Sequence, residues 1–382
     1  MRVLHIGKFF PPYPGGIERS SAALTASLAT HASTVVAMLA HAAPGTHRSC
    51  TLQADGVQVT LAACHGQLLY APVSPTFPLL LARSLRTFEP DLLHLHVPNT
   101  SAFWALLSPA ARKLPWVVHW HSDIPLDSKH RLLRWAYRVY RPWEQALLRR
   151  AHAVIATSQQ YLDASAALAP WREKVRVIPL GIGPGEPPVS PGTPSLWPGT
   201  GLRVLAVGRL SYYKGFDVLL HALADAPQAQ LLLIGSGECE SALRGLAKRL
   251  GIADRVRFAG HVDDAALAQA YAQAQVFCLP SIERAEAFGI VLLEAMRAGV
   301  PVIASDIPGS GVLHVVRDGE TGLLVPPRDP LALAQALRRL DADVELRARL
   351  GQQGQQRWRE EFTLDKNAQR TAQVYREVLH AS

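Results

Sequence analysis

A chain of 382 residues exceeds one typical core, so two domains are the default. Its 48% apolar and 18% charged content excludes a disordered or fibrous chain, and no apolar run reaches bilayer-spanning length. The net charge of +8 is concentrated early, with 18 Lys/Arg against 9 Asp/Glu in residues 1–183 and 21 against 22 in the rest. That excess suits an anionic membrane surface or a phosphorylated substrate. Nucleic acid is the weakest partner, because no helix-turn-helix, zinc-finger or aromatic RNA-binding signature is present. Cys50, Cys64, Cys239 and Cys278 show no CxxC or metal spacing and read as reduced core residues of a cytoplasmic protein. The apolar run at residues 1–7 is too short for a signal peptide.

In chain order, residues 2–7 alternate like a strand. The turn-rich Pro11-Pro12-Tyr13-Pro14-Gly15-Gly16-Ile17-Glu18 follows, and then a helix over about 18–30. Strand, glycine loop and helix make a phosphate-approach unit, although Gly15-Gly16 alone reads equally well as a tight turn. Further strand-like runs fall at 34–39, 57–61, 92–96, 116–120, 154–157 and 175–179, while 43–55 and 68–78 fit no motif. The Pro/Gly-dense residues 181–200 cannot hold a helix or inner strand and read as a linker. A second series has strands at 204–207, 231–234, 256–259, 276–279, 302–304 and 323–325, with helices including 241–250 and 265–274. A helical pattern over 331–380, broken near Phe362-Thr363, closes the chain. The expected fold is α/β, with two doubly wound, Rossmann-like domains facing a cleft. Its expected parts are residues 1–183, a linker at 184–200, a second domain at 201–355, and a C-terminal helix at 356–382 that packs back on the first domain.

The chemistry-bearing stretch is Ser281-Ile282-Glu283-Arg284-Ala285-Glu286-Ala287-Phe288-Gly289-Ile290-Val291-Leu292-Leu293-Glu294. It reads as a loop entering a helix that runs from near Phe288 to Ala298, ended by Gly299 and Pro301. A helix N-terminus suits a diphosphate. Eight helical residues would hold Glu286 and Glu294 roughly 12 Å apart, a sugar-to-ribose separation; a capping acid and a solvated helix acid is the plainer alternative. Arg209 and Lys214 follow the strand ending at 207, beside Gly208, where two cations suit a leaving diphosphate. His121 ends the strand Val117-Val118-His119-Trp120. His119 reads as a buried, hydrogen-bonded histidine, and His94 and His96 read as structural. Gly235, in Gly235-Ser236-Gly237, permits close backbone approach. The backbone at His261-Val262 is a candidate for a base edge. No His/Asp/Cys cluster has metal spacing.

Together, Gly208-Arg209-Leu210, Lys214-Gly215, Gly235-Ser236-Gly237, Phe258-Ala259-Gly260, Glu286-Ala287-Phe288-Gly289 and Glu294-Ala295 resemble the motifs of retaining GT-B glycosyltransferases of family four. Pro14-Gly15-Gly16-Ile17-Glu18 and the His121 strand end resemble that family's first domain. The resemblance implies that Arg209 and Lys214 bind the donor diphosphate, that Glu286 contacts the sugar and Glu294 the ribose, and that the backbone of Phe288–Ile290 supports phosphate and sugar. It further implies that Gly15-Gly16 lets the first domain close on the diphosphate and that His121 lies near the reacting carbon. No metal or other cofactor is implied. Trp120-His121-Ser122-Asp123, Tyr212-Tyr213-Lys214-Gly215 and Arg284-Ala285-Glu286 further resemble bacterial mannosyl- and rhamnosyltransferases that build O-antigen from GDP-sugars. The partners implied are a nucleotide-sugar donor and a glycan or lipid-linked acceptor. The competing readings are a non-catalytic nucleotide-sugar-binding assembly protein and another GT-B enzyme such as a sugar-nucleotide epimerase.

Residues 129–150 carry Lys129, Arg131, Arg134, Arg138, Arg141, Arg149 and Arg150 against the single acid Glu144, interleaved with Trp135, Tyr137, Tyr140 and Trp143, and Pro142 is expected to end or kink the helix. This reads as a peripheral contact with anionic lipid on the inner face of the membrane, or as a solvated basic helix face.

Overall fold

The computed structural model describes residues 1–30, 33–124, 131–185 and 195–381. Lys129, and residues 186–194 of the expected linker, lie outside them. The chain forms two compact units, Met1–Gly183 with Leu364–Ser382, and Pro184–Thr363.

The first unit is built on an eight-stranded sheet. Its strands are β1 (Arg2–Phe9), β2 (Val35–His41), β3 (Cys50–Ala54), β4 (Val57–Ala62), β7 (Leu92–Val97), β8 (Trp116–Trp120), β9 (Ala153–Ala156) and β10 (Val175–Val177); Gln67–Leu68 and Ala71–Pro72, β5 and β6, form a separate small hairpin. The order is β10-β9-β8-β7-β1-β2-β4-β3, parallel except for β3. The inner strands β7 and β8 are buried at every residue, as expected of a parallel sheet covered on both faces. Strand β3 falls within 43–55, where no motif was legible. It is an exposed edge with no apolar alternation, specified by the Asp55-Gly56 turn, whose residues have φ 49° and 78°, as a two-residue hairpin turn of the primed type requires. Cys50 on this edge is exposed, against the expectation of a core thiol, while Cys64 and Cys278 are buried.

The C-terminal helix Leu364–Ala381 belongs to this unit: Ala368, Ala372, Val374, Tyr375 and Val378 join the same core as Val3, Leu28, Val36 and Val117. Its start is tied by Leu364 N–H to Ile182 O at 3.0 Å and by Asn367 Nδ2 to Pro179 O at 2.6 Å. The return point expected at 356 therefore moves to 364. The helical pattern expected over 331–380 breaks at Phe362-Thr363 as expected and once more at Asp343, giving three helices, Pro330–Ala342, Val344–Glu361 and Leu364–Ala381; the unforeseen break arises because the Asp343 side chain accepts from Leu346 N–H and caps a new start. Helix Arg131–Arg150 runs through Pro142 rather than ending there. The carbonyl that Pro142 leaves without a helical donor belongs to Arg138, an exposed residue.

The second unit carries β11 (Leu202–Val207), β12 (Ala229–Ile234), β13 (Val256–Gly260), β14 (Val276–Leu279), β15 (Val302–Ser305) and β16 (Gly322–Val325) in the order β13-β12-β11-β14-β15-β16, all parallel. Within the unit this is the 3-2-1-4-5-6 doubly wound order, whose direction reverses between β11 and β14; ligands gather at that switch point. Residues 195–200, expected as linker, pack into this unit: Trp197 is buried and donates from Nε1 to Val204 O at 3.0 Å. No helix among the described residues is long and apolar enough to cross a membrane.

Candidate active site

Two loops leave the switch point of the second unit. After β11 come Gly208, Arg209 and the short helical turn Tyr212–Lys214; after β14 comes Ser281 to Gly289, leading into the helix Ile290–Arg297. They bring together residues 72 positions apart: Lys214 Nζ donates to Glu286 Oε2 at 2.6 Å, and Ser281 Oγ donates to the same oxygen at 2.8 Å. Both charged side chains are only 9% exposed. Burial alone would push the Lys214 ammonium down, but the Glu286 carboxylate and Tyr213 outweigh it and the pKa is raised, so the lysine stays charged. The main chain of Glu286 is held as well, its carbonyl accepting from Ser310 Oγ, while Ala287 O accepts from Gly311 N–H at 2.8 Å.

Gly235 has φ 131°, and a Cβ there would lie 2.0 Å from Gly208 O, so the loops after β11 and β12 touch through bare backbone. Gly235 N–H donates to Gly260 O at 2.8 Å, which places His261 and Val262 beside the same strand ends; His261 is exposed. The helix starts at Ile290, not Phe288, and ends at Arg297, with Gly289 as its cap at φ 77°. Ala287 and Phe288 are therefore loop, and only Ile290 to Glu294 of the expected eight-residue spacer is helical. The Phe288 side chain is core, edge-on to Phe362 at 6.3 Å. Glu294 Oε2 accepts from the buried Tyr271 hydroxyl at 2.8 Å. Arg209 is not joined to the Lys214 pair; it is exposed and pairs with Glu238 at 3.5 Å.

In the first unit, Gly16 opens the helix Gly16–Ala29. A Cβ at Gly15 would lie 2.0 Å from Glu18 Oε2, so the Glu18 carboxylate folds back over the glycine. Burial raises the Glu18 pKa, its own backbone N–H and Lys8 lowering it in part. His121 is buried and sits just past β8, with its N–H bonded to Val97 O at 3.0 Å. Its ring joins His5, His94, His96 and His119 in one buried group, and two triplets, His5/His94/His96 and His96/His119/His121, have nitrogens within 4.8 Å of one another. Sequence spacing had shown no such cluster. It arises from register, since His5 lies opposite His94 and His96 opposite His119 on adjacent strands. The other residues missed from the sequence are Ser281, Ser310 and Tyr271. Of these only Ser281, five residues before Glu286, carried a local signal.

A cavity beside helix Arg131–Arg150 is lined by Arg134, Tyr137, Arg138, Arg141, Pro142 and Gln145. On the same helix, burial pushes the Glu144 carboxyl up to about 7 while the hydroxyl of Tyr137, one of the lining residues, donates to it at 2.9 Å.

Residues 194–357 match the family model described as glycosyl transferases group 1, and residues 15–181 match a glycosyl transferase 4-like domain. A D-rhamnosyltransferase of Pseudomonas aeruginosa is 35% identical over 285 residues, 72% of this chain and 70% of the relative. The O-antigen chain mannosyltransferase C of Escherichia coli is 28% identical over 387 residues, 100% of both chains. Among solved structures, the sucrose-phosphate synthase of Thermosynechococcus elongatus superposes with a TM-score of 0.80 at 27% identity over 100% of both chains. The fold is thus that of the GT-B glycosyltransferases. The chain belongs to the glycosyl transferases group 1 family.

Proposed function

We propose that this chain moves a hexose of the mannose or rhamnose type from a GDP-sugar to a glycan or lipid-linked acceptor in cell-surface polysaccharide synthesis, with retention at the anomeric carbon. The observation that carries this reading is the buried Lys214–Glu286–Ser281 group at the switch point of the second unit's sheet, 2.6 and 2.8 Å in its two contacts. The similarity of the chain to a D-rhamnosyltransferase and an O-antigen chain mannosyltransferase supports the sugar class.

In this reading Lys214 and Arg209 face the donor diphosphate, whose negative charge grows as its bond to the sugar carbon breaks; fixed cations stabilise that change more than they stabilise the ground state. The first-turn N–H groups of helix Ile290–Arg297 add positive potential. Glu286, held by Lys214 and Ser281, accepts from sugar hydroxyls, and Glu294 accepts from the ribose. The acceptor oxygen attacks on the face the phosphate leaves, and the departing phosphate takes the acceptor's proton. Glu286 is no nucleophile here, since its carboxylate is committed to Lys214. Positive charge comes from the side chains and helix end, so no metal is required. The arginine-lined cavity beside the exposed Trp135 supports an anionic acceptor headgroup or lipid surface next to the first unit.

The test is a screen of GDP-, UDP-, dTDP- and ADP-sugars for hydrolysis and transfer, with Lys214→Ala and Glu286→Gln alongside. The expected outcome is turnover of a GDP-hexose with retained anomeric configuration, reduced about a hundredfold or more in Lys214→Ala. Turnover unchanged in both variants overturns the assignment. Wild-type protein that ignores anionic vesicles at low salt overturns the lipid contact alone.

A further inference from the structure

The five histidines of the first unit form more than a cluster. His121 Nε2 meets His96 Nδ1 at 2.9 Å, His96 Nε2 meets His5 Nδ1 at 3.0 Å, and His5 Nε2 meets Tyr375 OH at 3.3 Å. Tyr375 OH also meets His94 Nδ1, and His94 Nε2 meets His119 Nδ1 at 3.3 Å. This is one unbranched chain, His121–His96–His5–Tyr375–His94–His119, whose end atoms, His121 Nδ1 and His119 Nε2, are buried and have no partner among the described residues. The bonded pairs His5–His96 and His96–His121 each have centroids 5.3 Å apart, as far as such short nitrogen-to-nitrogen contacts allow, so they meet edge to edge. Face-to-face stacking joins the two rows, His119 on His121 at 4.2 Å and His94 on His5 at 4.4 Å. Tyr375, from the C-terminal helix, is the bend of this hairpin of rings.

Counting protons constrains the chain. Each neutral imidazole carries one N–H and one lone pair, and the tyrosine carries one O–H. Six protons serve five links, and every link takes one proton. Only two arrangements satisfy all five and also bond the tyrosine O–H: every histidine protonated on Nδ1, or every histidine protonated on Nε2; a third, in which the phenol oxygen accepts from both His5 and His94, leaves a buried O–H without an acceptor. In the first, His121 Nδ1–H is the free donor and His119 ends in a bare lone pair; in the second the roles reverse. In either arrangement one buried end carries an N–H without a partner among the described residues; His121 lies just past the carboxyl end of β8, where ligands of such sheets gather, so a ligand oxygen there would satisfy the first arrangement.

We propose that these six side chains are one tautomeric relay that fixes the free nitrogen of His121 as an N–H donor toward a ligand oxygen at the end of β8, which makes His96, His5, Tyr375, His94 and His119 positioning residues; that this matters for turnover rests on the glycosyltransfer reading above. A metal site is the competing use of the same rings. It would require the nitrogens of His96, His119 and His121 to abandon these links and converge on one ion.

The test has two arms. In the full chain labelled with 15N-histidine, free of ligand at pH 7.5, ring-nitrogen shifts are expected to report Nδ1–H for all five histidines. Opposite tautomers within the five, an imidazolium, or a retained equivalent of zinc overturns the relay. This arm needs no nucleotide-sugar, so it fails or succeeds independently of the proposed reaction. In the second arm, hydrolysis of GDP-mannose is followed in Tyr375→Phe, His121→Ala and the double variant. Tyr375→Phe is expected to lower kcat at least threefold with KM unchanged, and to add nothing in the His121→Ala background. An equal loss in both backgrounds, or no loss in either, overturns the positioning role. Absence of any wild-type turnover, with all five tautomers matched, counts against the glycosyltransfer reading and not against the relay.

Discussion

The two units bury polar side chains in opposite ways. In the first, five imidazoles and a phenol lie in the interior as neutral groups, linked to one another, with a partner missing among the described residues only at His121 Nδ1 and His119 Nε2. In the second, a lysine and a glutamate lie buried as a charged pair, satisfied by each other and by a serine. The neutral chain depends on none of its members gaining a proton. The ion pair depends on neither partner losing its charge. The first unit is therefore exposed to acid and the second to removal of one partner, and each weakness can be probed without the other.

The largest effect should come from acid. Burial depresses all five histidines, to about 3 for His5 and His119 and well below the ordinary 6.5 for His94, His96 and His121. The unfolded chain thus binds more protons than the folded one below pH 6.5. Stability is complete above that value and is lost as pH falls from 6.5 toward the depressed values. Each histidine contributes up to about 1.4 kcal/mol per pH unit in that window. Hydrogen exchange followed at pH 7.5 and 5.5 should show protection falling across β1, β7 and β8 while β11 and β14 keep theirs. Equal losses in both units would erase the contrast.

Lys214→Met should come next. It leaves Glu286 buried without its cation, a change that destabilises by about 3–5 kcal/mol in comparable buried pairs. Adding Glu286→Gln should recover part of the melting temperature and none of the turnover. If the single variant melts like the wild type, Glu286 is not confined as its 9% exposure implies.

Gly235→Ala should cost about 1–3 kcal/mol through its positive φ, and more if the new Cβ, 2.0 Å from Gly208 O, pushes the loop off Lys214. Turnover should drop together with the melting temperature. Arg209→Ala should separate the two: its ion pair is exposed on both sides, 65% and 58%, so stability should change by less than about 1 kcal/mol, while turnover falls by about a hundredfold if Arg209 meets the leaving diphosphate. Undiminished turnover would leave Lys214 as the sole cation of the reaction. The smallest effect, none at all, is expected from a chelator. Activity lost with EDTA and restored by magnesium or manganese would overturn the metal-free reading.

The strand series of both units was legible from the sequence because buried parallel strands are short apolar runs separated by helical periods, a purely local pattern. Gly208, Lys214, Gly235 and Glu286 could be singled out as candidates because each lies just past a strand or in a loop entering a helix, and Glu294 because it lies in the helix that the loop enters. What sequence alone left open was settled by contacts distant in the chain. The pairing of Lys214 with Glu286 across 72 residues depends on β11 lying next to β14, a matter of strand order. The edge strand Cys50–Ala54 has no pattern of its own and exists because β4 offers it a partner. His94 and His96 read as structural and His119 as buried and hydrogen-bonded, but nothing local joined them into one group. Parallel register on three adjacent strands, with Tyr375 arriving 281 residues after His94, turned them into one hydrogen-bonded chain. Local pattern specifies which face of a strand a side chain takes; which strand lies alongside, and in what register, is decided only when the sheet assembles.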